Sequence, residues 1–329
     1  MIKKCSGCGV VLQTKSSELL GYTRNIDSEL CERCFRIKHY GDYQVVEKDN
    51  EAYYNILKKV TQTKDLVLFV IDLFNINQEV YELAQMIKNP CLLVLTKRDL
   101  FASDIYDQKF IDAISDLPLN IIDTIMISSK NNRGFDELYS KIKYYKKTNN
   151  VYVIGLTNAG KSTMLNQLMK HYSNQESQIT TSMLPSTTLD MVEIKLDDSI
   201  TLIDTPGILD HSIANVVNAN TLKKIVPKKV IRPITYQVKI PQTIIVENLL
   251  RIDLFEKNNI TLFFSNQLQI KRYYKSVSFL ETLEKHELDV PKDSDVVISG
   301  LGFIKCSKSC HIVIYTLKNV NVSIRKALI

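Results

Sequence analysis

The chain has 329 residues and a hydrophobic fraction of 45%, which suffices for two or three domains with buried cores. No stretch approaches the roughly 18 consecutive apolar residues of a membrane-spanning helix. The first residues, MIKKCSGCGV, lack the apolar run of a secretory signal peptide. These features exclude the common signals for membrane insertion and export, and we expect a cytoplasmic protein without a membrane partner.

The formal net charge of +6 is distributed unevenly along the chain. Residues 208–329 contain 18 Lys and Arg against 10 Asp and Glu, whereas residues 1–207 contain 24 against 26. Concentrated positive charge favours a polyanionic partner such as RNA. The alternative is a solvated, lysine-rich surface without a specific ligand. We do not expect DNA as a partner.

Four of the seven cysteines form two C-x-x-C pairs near the start of the chain, with 22 residues between the pairs. Each pair can bring two thiolates to one ion, and two pairs form the tetrahedral four-sulfur site typical of structural Zn²⁺. In a cytosolic chain metal binding is favoured over disulfides, and a redox-active pair is the alternative. We therefore predict a zinc-binding module over residues 1–45, with the ligands Cys5, Cys8, Cys31 and Cys34.

Short, continuously apolar segments alternate with amphipathic segments from about residue 50 to residue 210. This alternation is typical of βαβ units and of a parallel sheet that is buried on both faces. The segments 191–196 and 200–205 predict a hairpin. The other predicted strands are 65–72, 91–96, 121–128 and 151–155, and the predicted helices are 79–88 and 135–145.

The stretch GLTNAGKST, residues 155–163, fits the phosphate-loop pattern G-x-x-x-x-G-K-[ST]. An apolar strand precedes it and a helical segment follows, which is the context that this motif requires. Its glycines let backbone N–H groups face the phosphates, Lys161 pairs with the β- and γ-phosphates, and Ser162 binds Mg²⁺. The predicted nucleotide contacts in this loop are Gly155, Asn158, Ala159, Gly160, Lys161, Ser162 and Thr163.

The segment LIDTPG follows about forty residues later, with Asp204 and Gly207 at D-x-x-G spacing. A carboxylate at this position reaches the Mg²⁺ shell through water, and the Gly207 N–H senses the γ-phosphate. Between the two motifs, a Thr in LPSTTLD can bind Mg²⁺ only when a γ-phosphate is present, which makes the loop a switch. We choose Thr188 for this role, and Thr187 is the alternative.

A guanine-reading motif of the form N-K-x-D is not found after Asp204, but a variant lies upstream of the phosphate loop. Thr96, Lys97 and Asp99 end an apolar strand, so that Asp99 pairs with the guanine edge and Lys97 packs over the base. The segment Ser128-Ser129-Lys130 ends the next strand and matches the S-A-K loop that also touches the base.

The order of these motifs differs from the usual one, which begins at the phosphate loop. A parallel α/β sheet tolerates such rearrangement because the termini of a compact domain often lie close together. The sequence therefore predicts an α/β P-loop GTPase domain with a parallel sheet in circularly permuted order, in which Asp99 folds back beside Lys161. The domain is expected to span residues 46–212 and to bind GTP or GDP with Mg²⁺.

On these motifs the chain resembles the circularly permuted bacterial GTPases of the YqeH type. The resemblance covers essentially the whole chain, including the paired C-x-x-C at the front and VVISGLGFI near the end. It implies a role in assembly of the small ribosomal subunit, with that subunit or its rRNA as partner. One departure is Thr96, where Asn is common, and this change can lower the affinity for guanine.

The resemblance also implies a mechanism of slow hydrolysis. Ile208 stands where many GTPases place a Gln that orients water. In similar proteins an Asn at the position of Asn158 helps to hold K⁺, which supplies positive charge at the phosphates. The alternative is that Asn158 only forms hydrogen bonds within its loop. The predicted catalytic residues are Lys161, Thr188 and Asn158.

Residues 213–329 are expected to form a basic, RNA- or ribosome-binding domain of the α+β type. A helix is predicted over 213–226 and strands over 260–265 and 295–304, while Cys306, Cys310 and His311 are read as core or edge residues rather than as a second metal group. Two other functions stay open, a GTP-dependent metabolic or signalling enzyme and a scaffold with little hydrolysis. The expected phosphate contacts are Lys223, Lys224, Lys228, Lys229, Arg232, Lys271 and Arg272.

Overall fold

The computed structural model describes residues 3, 5, 11–15, 21–32, 50–173, 191–205, 210–275, 277, 280 and 283–329. The chain divides into two compact units, each built from segments that are separated in the sequence. This differs from the contiguous ranges 46–212 and 213–329 proposed above. The first unit comprises Met1–Ile71, Leu83–Thr96 and Leu119–Leu209, and the second comprises Asp72–Glu82, Lys97–Pro118 and Asp210–Ile329.

Helices occupy six segments of the described chain, and none of them has the length and apolarity that crossing a membrane requires. The predicted helix over 135–145 is confirmed at both ends, whereas the one predicted over 79–88 ends three residues earlier, at Gln85. The helices are α1 (Asn50–Gln62), α2 (Gln78–Gln85), α3 (Asp107–Ala113), α4 (Phe135–Tyr145), α5 (Lys161–Tyr172) and α6 (Ala219–Ile225), with 3-10 turns at Arg98–Leu100 and Ile213–Asn215.

The first unit contains a six-stranded sheet of order β3-β2-β1-β4-β6-β5, in which β1 and β4, β2 and β3, and β4 and β6 pair in parallel. The predicted hairpin is confirmed because β5 and β6 pair antiparallel. Apolar residues of the strands form one core with α4 and α5. The strands are β1 (Leu66–Asp72), β2 (Pro90–Thr96), β3 (Asn120–Met126), β4 (Asn150–Ile154), β5 (Val192–Lys195) and β6 (Thr201–Asp204).

The second unit contains two five-stranded antiparallel sheets, of order β16-β13-β14-β10-β7 and β11-β8-β9-β15-β12. Both sheets contribute to a single apolar core, so they pack face to face as a sandwich. The strands are β7 (Ile234–Val238), β8 (Gln242–Val246), β9 (Leu250–Leu254), β10 (Asn258–Phe264), β11 (Ile270–Tyr273), β12 (Glu284–Val290), β13 (Ser294–Ile298), β14 (Gly302–Cys306), β15 (Cys310–Thr316) and β16 (Val322–Lys326).

The α+β prediction for residues 213–329 is therefore wrong, since the described part is a β-sandwich preceded by short helical segments. The helix predicted over 213–226 is interrupted at Asn218, whose side chain accepts a hydrogen bond from the Thr221 N–H and starts α6 anew. Asn is a strong N-cap and a weak helix former, so it begins a helix better than it continues one.

The strand predicted over 295–304 is two strands, β13 and β14, joined by a tight turn. Gly300 adopts φ +75°, and a Cβ at this position would lie 1.9 Å from the Ser212 Oγ. Only glycine meets both requirements at low cost, so the chain reverses here. The strand predicted over 260–265 is confirmed as part of β10.

Cys306 and Cys310 are buried in the sandwich core, which confirms them as core residues. His311 lies at the surface, where its Nδ1 is 2.9 Å from the Asp289 Oδ1. No group of three or more metal-binding side chains is found among the residues that the structure describes.

Candidate functional site

The phosphate loop connects β4 to α5 and packs directly against β1. A Cβ on Gly155 would lie 2.4 Å from the Val70 carbonyl oxygen, so any larger residue would push the loop away from the sheet. Asn158 and Gly160 have φ of 59° and 95°, the left-handed conformation that turns the backbone into a concave path. The loop therefore has the backbone shape of an anion cradle before any ligand is considered.

Lys161, the first residue of α5, is 2% exposed. Its Nζ donates to the Gly155 and Leu156 carbonyl oxygens, at 2.6 and 2.8 Å. The ammonium group is thus held against the loop backbone, at the amino end of a helix where N–H groups attract anions. The neighbouring Ser162 is half-buried, whereas Thr163 and Asn158 are exposed.

Thr96 connects the end of β2 to the phosphate loop. Its hydroxyl donates to the Ala159 carbonyl oxygen at 2.7 Å and lies 3.2 Å from that of Ile71. Thr96, which stands where Asn is common in the resembling family, thus keeps a hydroxyl that joins two loops. The strand that leads into the base-reading motif therefore ends at the phosphate loop.

Lys97 and Asp99 follow Thr96 and belong to the second unit. Lys97 has φ 60° and ψ 28°, and its Nζ lies 2.6 Å from the Asp72 Oδ2. Asp99 is half-buried within the 3-10 turn Arg98–Leu100, which begins with a hydrogen bond from the Leu100 N–H to the Lys97 carbonyl. Asp72 is not among the predicted site residues, although an acidic residue that ends a buried parallel strand is a usable signal.

The segment predicted to match the S-A-K loop forms a tight loop after β3. Ser128 and Arg133 exchange two backbone hydrogen bonds, and the Ser128 Oγ accepts from the Asn131 N–H at 3.2 Å. Ser129 is half-buried and Lys130 is exposed on this loop. Gly134 closes it with φ +85°, and a Cβ there would lie 2.5 Å from the Met126 carbonyl oxygen.

Asp204 ends β6 and is 2% exposed. Thr205, the next residue, donates its hydroxyl to the Val153 carbonyl at 2.8 Å and so joins this strand end to β4. Burial raises the pKa of Tyr53 on α1, and the negative charge of nearby Asp204 raises it further. Thr187, Thr188 and Gly207 lie outside the described residues.

The segment after residue 209 is fixed by polar contacts within the second unit. Asp210 accepts hydrogen bonds from the side chains of Asn75 and Asn215. The His211 Nδ1 lies 2.6 Å from the Glu79 Oε1, and the His211 backbone N–H donates to the same carboxylate. The sequence gives no local signal for this pair, because Glu79 and His211 lie 132 residues apart.

The second unit also joins the segment that is predicted to read the base to the sandwich. The Ile231 N–H donates to the Leu100 carbonyl at 2.8 Å, one residue after Asp99. Phe101 stacks on Phe303 of β14, with a centroid distance of 6.5 Å. The turn that carries Asp99 is therefore packed against the C-terminal sheets.

The described residues near the N-terminus bring together one cysteine from each C-x-x-C pair. Cys5 and Cys31 are each 2% exposed, and the Cys31 N–H lies 3.1 Å from the Cys5 Sγ. Backbone N–H groups that point at a thiolate are typical of the outer shell of a metal site. Cys8 and Cys34 lie outside the described residues.

Most of the basic residues predicted to contact RNA are exposed, but Arg272 is not free for this role. Its guanidinium lies between the rings of Tyr236 and Tyr274, at 4.8 and 4.6 Å from their centroids. It also donates to the Gln242 side chain and the Gln237 carbonyl. Arg272 therefore contacts both Tyr236 of β7 and Tyr274, which follows β11 and is 65% exposed. The exposed basic residues are Lys223, Lys224, Lys228, Lys229, Arg232 and Lys271.

A parallel sheet, a glycine-rich phosphate loop before a helix and a buried aspartate at a neighbouring strand end define a P-loop GTPase domain. A family model described as a 50S ribosome-binding GTPase matches residues 150–263. A second model, described as YqeH-like, C-terminal, matches residues 272–328.

Uncharacterized protein YqeH of Bacillus subtilis is 34% identical, over 99% of both chains. Nuclear GTP-binding protein NUG1 of Saccharomyces cerevisiae is 26% identical over 55% of this chain and 40% of its own length. GTPase Der of a Thermoanaerobacter species is 28% identical over 44% of this chain and 35% of its own. The chain belongs to the YqeH-type family of GTPases, and membership implies binding of GTP or GDP with Mg²⁺.

Replacing Thr96 with Val removes the hydroxyl but keeps the shape of the side chain. The buried Ala159 carbonyl then loses its donor, and we expect the free energy of unfolding to fall by about 1–3 kcal/mol. Thr96→Ser keeps the hydroxyl and should lose less. Denaturant titration of both variants measures the difference, and equal stabilities would show that the hydrogen bond contributes nothing.

Proposed function

We propose that this protein is a GTP-hydrolysing switch that acts in the cytoplasm in assembly of the small ribosomal subunit. Lys161 binds the β- and γ-phosphates, while Ser162, Thr188 and Asp204 supply oxygen ligands to Mg²⁺, directly or through water. Hydroxyl and carboxylate oxygens are the ligands that this ion prefers. Gly207 senses the γ-phosphate through its backbone N–H.

Guanine recognition is assigned to Asp99, with Lys97 over the base and the loop of Ser128, Ser129 and Lys130 beside it. The observation that supports this most directly is the 2.7 Å hydrogen bond from Thr96 to Ala159. This bond joins the last residue of β2, which leads into the proposed base-reading motif, to the phosphate loop. The residues assigned to guanine therefore follow directly, in the sequence, a residue that is bonded to the phosphate loop.

The guanine assignment predicts a change of nucleotide preference in Asp99→Asn. The Asp99 carboxylate accepts hydrogen bonds from two N–H groups of guanine. The amide of Asn instead presents one N–H donor, which suits the carbonyl that xanthine has in place of the guanine amino group. We expect GDP affinity to fall by about 100-fold or more and XDP affinity to rise. Competition titrations against a fluorescent nucleotide measure both, and an unchanged preference for GDP would refute the assignment.

Hydrolysis is proposed to be slow and to depend on K⁺ held by Asn158. The exposed, left-handed Asn158 presents its side chain from the phosphate loop, where a cation would face developing charge in the transition state. We expect turnover at least about tenfold faster in K⁺ than in Na⁺, and Asn158→Ala should lose that difference. Phosphate release in the two salts is the measurement, and equal rates for the parent protein would remove K⁺ from the mechanism.

The N-terminal module is proposed to hold one structural Zn²⁺ through Cys5, Cys8, Cys31 and Cys34. Support comes from the two described members, which are buried, adjacent and linked by an N–H···S contact. Elemental analysis of the purified full chain should find about one zinc per chain, and Cys5→Ser or Cys31→Ser should lose it. Cys91→Ser, at a buried cysteine of β2, is the control and should retain it. A parent protein free of zinc would contradict the proposal.

Ribosomal RNA is the proposed partner of the C-terminal sandwich, with lysines on phosphates and Tyr274 available for stacking on a base. Nucleotide gating is supported by the second unit, which contains both the turn with Asp99 and the exposed basic residues named above. The matching family model is described with the 50S subunit, so the choice of subunit requires a direct test.

Co-sedimentation of the full chain with small and large ribosomal subunits provides this test. We expect binding to small subunits that differs between GTP and GDP and weakens steeply as salt rises. Lys228→Glu with Lys229→Glu should weaken binding, while Lys58→Glu with Lys59→Glu, at exposed sites on α1, is the matched control. Binding to large subunits alone would reassign the target, and identical binding with both nucleotides would remove the switch.

A further inference from the structure

Asp72, the last residue of β1, has a side chain that is 9% exposed and contacts two groups. Its Oδ1 accepts a hydrogen bond from the Phe74 N–H at 2.9 Å, and its Oδ2 accepts one from the Lys97 Nζ at 2.6 Å. The second distance is that of a strong, charge-assisted hydrogen bond. The carboxylate therefore fixes the far end of the Lys97 side chain.

The near end of Lys97 is constrained as well. Its backbone is left-handed, with φ 60° and ψ 28°, a conformation that disfavours any residue with a Cβ. Its carbonyl accepts a hydrogen bond from the Leu100 N–H, and Thr96 before it is anchored through its hydroxyl. Lys97 is thus held at both ends, although long lysine side chains usually sample many rotamers.

Stability does not account for this arrangement. The Asp72 side chain is only 9% exposed, so its attraction to Lys97 is offset by the cost of removing the carboxylate from water. The left-handed backbone lowers stability further. Local strain that persists in a folded protein is concentrated at functional sites, where the surrounding structure enforces it.

We propose that Asp72 is a positioning residue for guanine recognition, which orients Lys97 so that its aliphatic stem packs over the base. This inference rests on the proposed roles of Lys97 and Asp99. Asp72 itself contacts no nucleotide. It lowers the entropy lost on binding, because one rotamer-rich side chain is already immobilised before the ligand arrives.

The first test is Asp72→Asn in the full chain. The amide oxygen still accepts from the Phe74 N–H, but the charge that holds Lys97 is lost. The Kd for GDP should rise about three- to tenfold, the value expected for one side chain that becomes mobile. Turnover at saturating GTP and the melting temperature should stay close to those of the parent.

Asp65→Asn is the matched control, because Asp65 is a buried carboxylate just before β1, at the opposite end of the strand, and is bonded to the Thr148 hydroxyl. It should leave the Kd for GDP unchanged. An Asp72→Asn variant that binds GDP as tightly as the parent would overturn the positioning role.

A double-mutant cycle with Lys97→Met separates positioning from a general structural effect. Met keeps the apolar stem and lacks the charge, so Asp72→Asn should cause no further loss of affinity in that background. If Asp72→Asn weakens GDP binding equally in both backgrounds, it does not act through Lys97 and the inference is wrong.

Asp99→Asn, measured in the same titrations, distinguishes the two levels of failure. If Asp99→Asn does not shift preference from GDP to XDP, the guanine assignment fails and the role of Asp72 fails with it. If the preference shifts and Asp72→Asn still binds GDP normally, only the positioning role is lost.

Discussion

The hydroxyl of Thr96 joins three segments that lie far apart in the sequence. It donates to the Ala159 carbonyl in the phosphate loop and lies 3.2 Å from the Ile71 carbonyl near the end of β1, while Thr96 itself ends β2. The packing of Gly155 on the Val70 carbonyl holds the same loop against the same strand. These contacts set the relation between the loop that cradles phosphates and the strand that leads to the base-reading motif. An apolar side chain at position 96 would leave the buried Ala159 carbonyl without this donor, which is costly in a protein interior.

The two compact units do not follow the order of the motifs in the sequence. The turn with Asp99 and the residues after β1 belong to the same compact unit as the C-terminal sheets. Hydrogen bonds from Ile231 to Leu100 and from Arg325 to the Ile76 carbonyl fasten both segments to the sandwich. The turn with Asp99 and the exposed lysines of α6 and of the segment before β7 therefore belong to one compact unit. Our proposal of a nucleotide-gated ribosome binder depends on this continuity of packing.

Polar side chains hold neighbouring segments together in the described part of the chain. Asp72 holds Lys97, Thr205 holds β6 on β4, and Glu79 holds His211. Asp72 ends β1 and Thr205 directly follows β6, positions where α/β sheets place ligand sites, whereas Glu79 lies on α2. Only Thr205 lies within a motif that sequence reasoning singles out. The others become visible when their partners, distant in sequence, are brought beside them.

Sequence alone predicted the strands of the α/β sheet, the hairpin of β5 and β6, and the residues of the phosphate loop. These follow from local rules, because continuous apolar runs, glycine spacing and strand-end motifs act over a few residues. The sequence did not predict the β-sandwich, since its strands pair residues far apart in the chain and one apparent strand reverses at Gly300. It also missed Asp72 and the division of the chain into discontinuous units. Those features depend on which distant segments share a core, and this is decided by tertiary packing rather than by any local pattern.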